Sequence, residues 1–168
     1  VAQTPPPAYP VDDQSYVAAD GTRVLQQSLV VPAPAADVWT AFTTSEGFAT
    51  WAAPVAFVDF RLGGYIEATY DPKGAIGAPG NIRNEIVAFV PQRMLAIRNT
   101  QAPPSTAFDA PTFQKLHTVF FLDPAGPNAT RVTIVRGGTP IVRATSMRRR
   151  STARTPATVP TRIGKNAA

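Results

Sequence analysis

Residues 31–70, VPAPAADVWTAFTTSEGFATWAAPVAFVDFRLGGYIEATY, change hydrophobic period once, and that change decides the fold. In the first half Val38 and Phe42 stand four apart with Trp39 beside them, the spacing of one helical face. Pro34 suits the first turn of such a helix, where its missing N–H has no intrahelical bond to lose. Thr44 or Ser45 can cap a second short helix, with Glu46 well placed in its first turn and Phe48 and Trp51 three apart. Pro54 ends it. In the second half residues 55–62 and 65–71 are β-prone runs on either side of Gly63-Gly64, a hairpin pattern.

Working outward, residues 23–31 (RVLQQSLVV) read as a strand that stops at Pro32-Ala33-Pro34. Residues 1–22, with four prolines, Asp12-Asp13 and Asp20-Gly21, read as a linker. After the loop 72–80, residues 82–90 and 93–99 flank Pro91-Gln92, a second tight hairpin. A Pro-rich loop, 101–111, leads to the last pair, 113–122 and 131–136, joined by residues 123–128. One strand, two short helices and six further antiparallel strands predict an α+β domain, its helices on one face or edge of a curved antiparallel sheet.

The chain has 168 residues, enough for one domain with tails. No apolar run approaches the roughly 20 residues of a membrane span. The absence of cysteine excludes disulfides, thiolate catalysis and Cys-based metal sites. The net charge of +5 is an average over two unlike parts. Residues 1–138 carry 9 Lys and Arg against 11 Asp and Glu, a net of −2; residues 139–168 carry 7 against none, a net of +7. The body is therefore not a basic nucleic-acid-binding domain. Val1-Ala2-Gln3-Thr4 followed by Pro5-Pro6-Pro7 resembles the surroundings of a signal-peptide cleavage site, which predicts an exported or periplasmic protein, with a cytoplasmic one as the alternative.

The ordered residues Val38, Trp39, Ala41, Phe42, Thr43, Glu46, Trp51, Asp59, Arg61, Gly63 and Gly64 resemble a pattern of the SRPBCC (START-like, birch-pollen-allergen-like) superfamily, in the branch named for the activator of heat-shock-protein ATPase. Pro91, Arg93, Met94 and Leu95 are similar to that family's later hairpin, and residues 130–135 to its last strand. The resemblance covers residues 24–136. It implies a helix-grip fold, seven antiparallel strands curling around one long C-terminal helix, with a ligand cavity between helix and sheet. It places the domain at 23–138.

Residues 139–168 depart from that pattern. Pro140, Pro156 and Pro160 interrupt them, and their few large apolar residues do not recur at helical spacing. They read as a basic, low-complexity and disordered tail, so the long C-terminal helix is expected to be absent. An Arg-, Ala-, Thr- and Pro-rich composition is also what GC-rich DNA encodes out of frame. The alternative is a working basic tail for phosphates or an anionic membrane surface. It contains no aromatic residue on which bases could stack.

Candidate chemistry is sparse. His117, the only histidine, alternates onto one face with Val119 and Phe121. It is either a general acid or base in the cavity or, as the plainer reading, a hydrogen-bonded wall residue. Asp59, Glu67 and Glu85 fall on neighbouring strands. Two of them on one concave face would shift each other's pKa; the plainer reading pairs them with Arg61, Arg83 and Arg98. No metal site is expected with one histidine and no cysteine, no cofactor motif is present, and no G-x-S-x-G elbow supplies a nucleophile. Trp39, Phe42, Phe48, Trp51, Phe57, Phe89, Phe120 and Phe121 read mostly as core, with Trp51 at the cavity mouth as the resemblance places the gate near the second helix.

The expected function is binding of a small, mostly apolar molecule, with Trp51, Phe57, Asp59, Glu67, Glu85 and His117 as ligand-site residues. A cyclase- or hydratase-type enzyme using His117 and Glu67 is the second reading. A chaperone-ATPase-stimulating interaction protein, as the branch name implies, is the third. No specific nucleic-acid partner is expected, and the sequence sets no oligomeric state.

Overall fold

The computed structural model describes residues 9–102 and 110–140. The expected cleavage-site region at the N-terminus lies outside them. So do residues 141–168, on which the expected tail and the expected loss of a C-terminal helix fall. The described chain runs β1 (Asp12–Asp13), β2 (Tyr16–Val17), β3 (Thr22–Val31), α1 (Ala35–Thr43), α2 (Ser45–Ala49), β4 (Val55–Val58), β5 (Tyr65–Thr69), β6 (Ile82–Val90), β7 (Met94–Gln101), α3 (Ala110–Phe113), β8 (His117–Gly126) and β9 (Ala129–Pro140). All strands join one curved, unclosed antiparallel sheet in the order β1-β3-β9-β8-β7-β6-β5-β4, with β2 also on β3. This is the α+β helix-grip arrangement expected from the sequence, with the two short helices between β3 and β4.

Helix α1 starts where Pro34 allows it, has Asp37 in its first turn and buries Val38 and Phe42. The Thr44 Oγ1 accepts the Gly47 N–H at 3.0 Å and so caps α2. A Cβ on Gly47 would lie 2.5 Å from the Thr40 carbonyl oxygen, so glycine is what lets α2 turn back against α1.

Register places side chains on two faces. Leu95, Phe120 and Ile134 stand opposite one another across β7, β8 and β9, and Leu122, Val132 and Leu29 across β8, β9 and β3. The Phe42 ring packs on Phe120 with centroids 4.9 Å apart, so this row faces the helices on the concave side. Ile66 and Ile86 complete the core there.

Several boundaries differ from expectation. Strand β4 stops at Val58, short of residue 62, and the turn after it is not a tight hairpin. The Gly63 N–H donates to the Ile86 carbonyl and the Ile86 N–H to the Gly64 carbonyl, so these glycines pair with β6 instead of closing on β4. Residues 113–116 are not strand: Phe113 ends a helical turn, the Leu116 N–H donates back to its carbonyl, and both side chains are buried. Strands β8 and β9 run on to a turn at Pro127-Asn128, and β9 continues to Pro140. The stretch read as linker supplies β1 and β2, two exposed pairings on β3. There Asp13 accepts from Ser15 and, at 2.9 Å, from the Gln27 side-chain amide.

Candidate ligand site: an apolar groove between helix and sheet

Helix α1 does not cover the concave face completely. Between it and strands β3 and β9 lies an open cavity of about 320 Å³. Val38, Ala41 and Phe42 line it from the helix, Leu29 and Val31 from β3, and Val132 and Ile134 from β9. Among the described residues Asp37 and Thr50 are its only polar side chains, both exposed at the rim. Trp51 closes one edge. Its indole N–H donates to the Ala41 carbonyl at 2.9 Å, and its ring packs on Phe42 and Phe48. Even so it is 49% exposed, a held aromatic with half its surface free. A second cavity, of about 280 Å³, is polar and opens on the opposite face between Asp12, Ser28 and Arg131. Among the described residues no three His, Asp or Glu side chains gather as a metal site, and no helix is long and apolar enough to cross a membrane.

The sequence of this sheet, groove and helix pair matches the family model described as activator of Hsp90 ATPase homolog 1-like protein over residues 32–154. The chain belongs to this family. Solved structures of similar fold include a conserved protein of unknown function from Enterococcus faecalis, at 11% identity and TM-score 0.54, covering 80% of this chain and 65% of the other. They also include the Aha1 dimer of Colwellia psychrerythraea, at 13% identity and TM-score 0.52, covering 67% and 73%. An HSP90 activator from Plasmodium falciparum gives 12% identity and TM-score 0.53, covering 70% and 74%. At these identities the likeness is one of fold. The chain spans 65% of the length of the Enterococcus protein. No curated protein matches it in sequence.

In this Hsp90-activator-like chain, Trp51 alone of the expected ligand residues borders the groove. Phe57, Glu67, Glu85 and His117 do come together, but on the convex face. Register lines up Phe57, Glu67 and Arg83 across β4 to β6, and Tyr65, Glu85, Arg98 and His117 across β5 to β8. His117 is exposed, and its Nδ1 lies 3.0 Å from the Lys115 carbonyl oxygen. It lies on the convex face, away from the groove walls. Phe57 and Phe121, expected as core, are about 40% exposed on the same outer face.

The three carboxylates are paired as the plainer reading had them: Asp59 with Arg61 at 2.9 Å, Glu67 with Arg83 at 2.9 Å, and Glu85 with Arg98. No two of these three share the concave face. Glu67 is 1% exposed although it faces outward, because the loop after β5 folds over it. That loop donates the Gly77 N–H and the Asn81 side-chain amide to the Glu67 carboxylate. Burial pushes the Glu67 carboxyl up, but the bonds from Asn81, Gly77 and Arg83 together outweigh it and leave its pKa below the usual value.

The sequence reading missed the groove walls. Val132 and Ile134 alternate with Arg131 and Thr133, so the signal for a one-sided strand was present in β9, but in β3 Val30 stands between Leu29 and Val31 and removes it. Which strands would flank the open part of α1 depends on sheet order, which alternation does not encode.

Proposed function

We propose that this chain binds a small, mostly apolar molecule in the groove between α1, β3 and β9. One observation carries the reading: a cavity of about 320 Å³ whose walls are aliphatic and aromatic and whose polar groups sit only at its rim. The volume is near the lower end for ligand pockets, roughly 300–1,000 Å³, and suits a single chain or ring system. The residues of the enzyme reading lie on the other side of the sheet. A chaperone partner would leave the groove without a role, so ligand binding separates that reading from this one.

The test uses the full chain and 1-decanol, followed through the tryptophan fluorescence that Trp51 contributes at the groove edge. Saturable binding is expected in wild type. Ala41→Phe, which fills the groove from the helix side, is expected to weaken binding at least tenfold while circular dichroism stays unchanged. Absence of saturable binding, or full affinity in the well-folded Ala41→Phe chain, overturns the proposal.

A further inference from the structure

Beyond one end of the groove the same face of the sheet turns polar. Ile134 is the groove's last wall residue on β9, and Arg136 follows two residues on, on the same face, about 7 Å further along the strand. Arg136 stands opposite Thr118 on β8, and Thr118 opposite Ile97 on β7. Asn99, two residues past Ile97, stands opposite Asn84 on β6. Within one pleat repeat the concave face thus passes from Phe120 and Ile134 to Thr118 and Arg136 on β8 and β9, and on β7 and β6 it reaches Asn99 and Asn84 one repeat further, past Ile97.

Two atoms of this strip are buried without a hydrogen-bond partner: Asn99 Oδ1 and Arg136 Nε. Asn99 as a whole is 5% exposed. Arg61, Arg83 and Arg98 each hold a carboxylate, whereas among the described residues Arg136 holds none. Burial lowers the Arg136 pKa, and Tyr70 opposes that shift. Tyr70 directly follows β5, and β5 is separated from β9 by three strands in sheet order. A guanidinium stays charged at any working pH, and a desolvated cation without a counter-ion costs free energy that an arriving anion offsets.

We infer that the groove's ligand is an amphipathic carboxylate, its apolar chain lying along Val132 and Ile134 and its head group accepting a hydrogen bond from Arg136 Nε. This rests on the groove being a ligand site, as proposed above. From Val132 to Arg136 is four residues, about 13 Å of strand, which a ten-carbon chain spans. Asn99 Oδ1, on the same face of β7, is the strip's unpaired acceptor.

Decanoate and 1-decanol, titrated into the full chain at pH 7.5, differ only at the head. Wild type is expected to bind decanoate at least tenfold more tightly. Arg136→Met is expected to bring the two affinities together, and Asn99→Asp, which sets a like charge beside the head group, to lower the ratio as well. Equal affinities in wild type, or a ratio untouched by Asn99→Asp and by Arg136→Met, overturn the head-group assignment and leave the groove standing. Failure of both probes to bind overturns the two together. The wild-type ratio decides the matter even if a variant does not fold.

Discussion

On the concave face of the sheet Leu95, Phe120 and Ile134 stand in line beneath α1; beside them on β7 and β8, Arg98 and His117 stand on the convex face in line with Glu85. The two rows come from the same strands and differ only in side-chain direction. One meets Phe42 and excludes water; the other meets solvent and neutralises its charges in cross-strand pairs. The residues that look most like chemistry, a histidine and three carboxylates, are therefore not the ones around the cavity. The groove walls are aliphatic and aromatic, with Asp37 and Thr50 at the rim, as an apolar binding site requires.

The largest effect that can test this contrast is a matched pair of truncations on β8. Leu122 is fully buried and Phe121, its neighbour, is 40% exposed. Leu122→Ala is expected to cost about 2–5 kcal/mol in urea denaturation, through lost burial and the void left behind. Phe121→Ala removes more atoms yet is expected to cost distinctly less. Equal losses would mean that the convex face is covered in solution and that the two faces are not distinguished as described.

Glu67 sharpens the contrast because it is the buried exception on the convex side. Its carboxylate holds the Gly77 and Asn81 amides and Arg83 at once, fixing the loop between β5 and β6. Glu67→Gln keeps the shape but removes the charge, and is expected to cost about 2 kcal/mol at pH 7. The sign with pH follows from the lowered pKa. A carboxyl whose folded pKa lies below its unfolded value, about 4.3 for Glu, contributes stability above that value and loses it as pH falls through the folded one. The gap between wild type and Glu67→Gln should therefore be full at pH 7 and narrow as pH falls below about 4.3 and through the folded pKa. A gap that persists in acid would show that Glu67 acts through packing alone.

Much of this architecture was legible in the sequence. The 35–43 helix and the 82–90 strand fall where the periodicity puts them, and Arg61, Arg83 and Arg98, read together as available partners, do pair with the three carboxylates. Alternation also grouped His117 with Val119 and Phe121. What it lacked was the sign of the face. Nothing local to β8 says whether that row or the row of Thr118, Phe120 and Leu122 points inward, because both contain phenylalanine. The choice is made by Val38 and Phe42, some 80 residues earlier, which pack on only one row. Residues 59–62 were misread for a similar reason: Gly63 and Gly64 bond to Ile86, a partner more than 20 residues away.

The smallest expected effect is the one that most directly separates the two faces in function. His117 is exposed, borders Arg98 in register and has its Nδ1 beside the carbonyl of Lys115, at the start of β8. It contacts neither the groove walls nor the polar strip around Arg136. His117→Ala is expected to change stability by no more than about 0.5 kcal/mol, as for an ordinary surface position. Decanol and decanoate affinities should stay within twofold of wild type between pH 5.5 and 8. A cavity acid or base at this position would impose a pH step on binding that the variant removes. If wild type shows such a step and His117→Ala abolishes it, then the convex row communicates with the groove through the strand, and separate roles for the two faces can no longer be maintained.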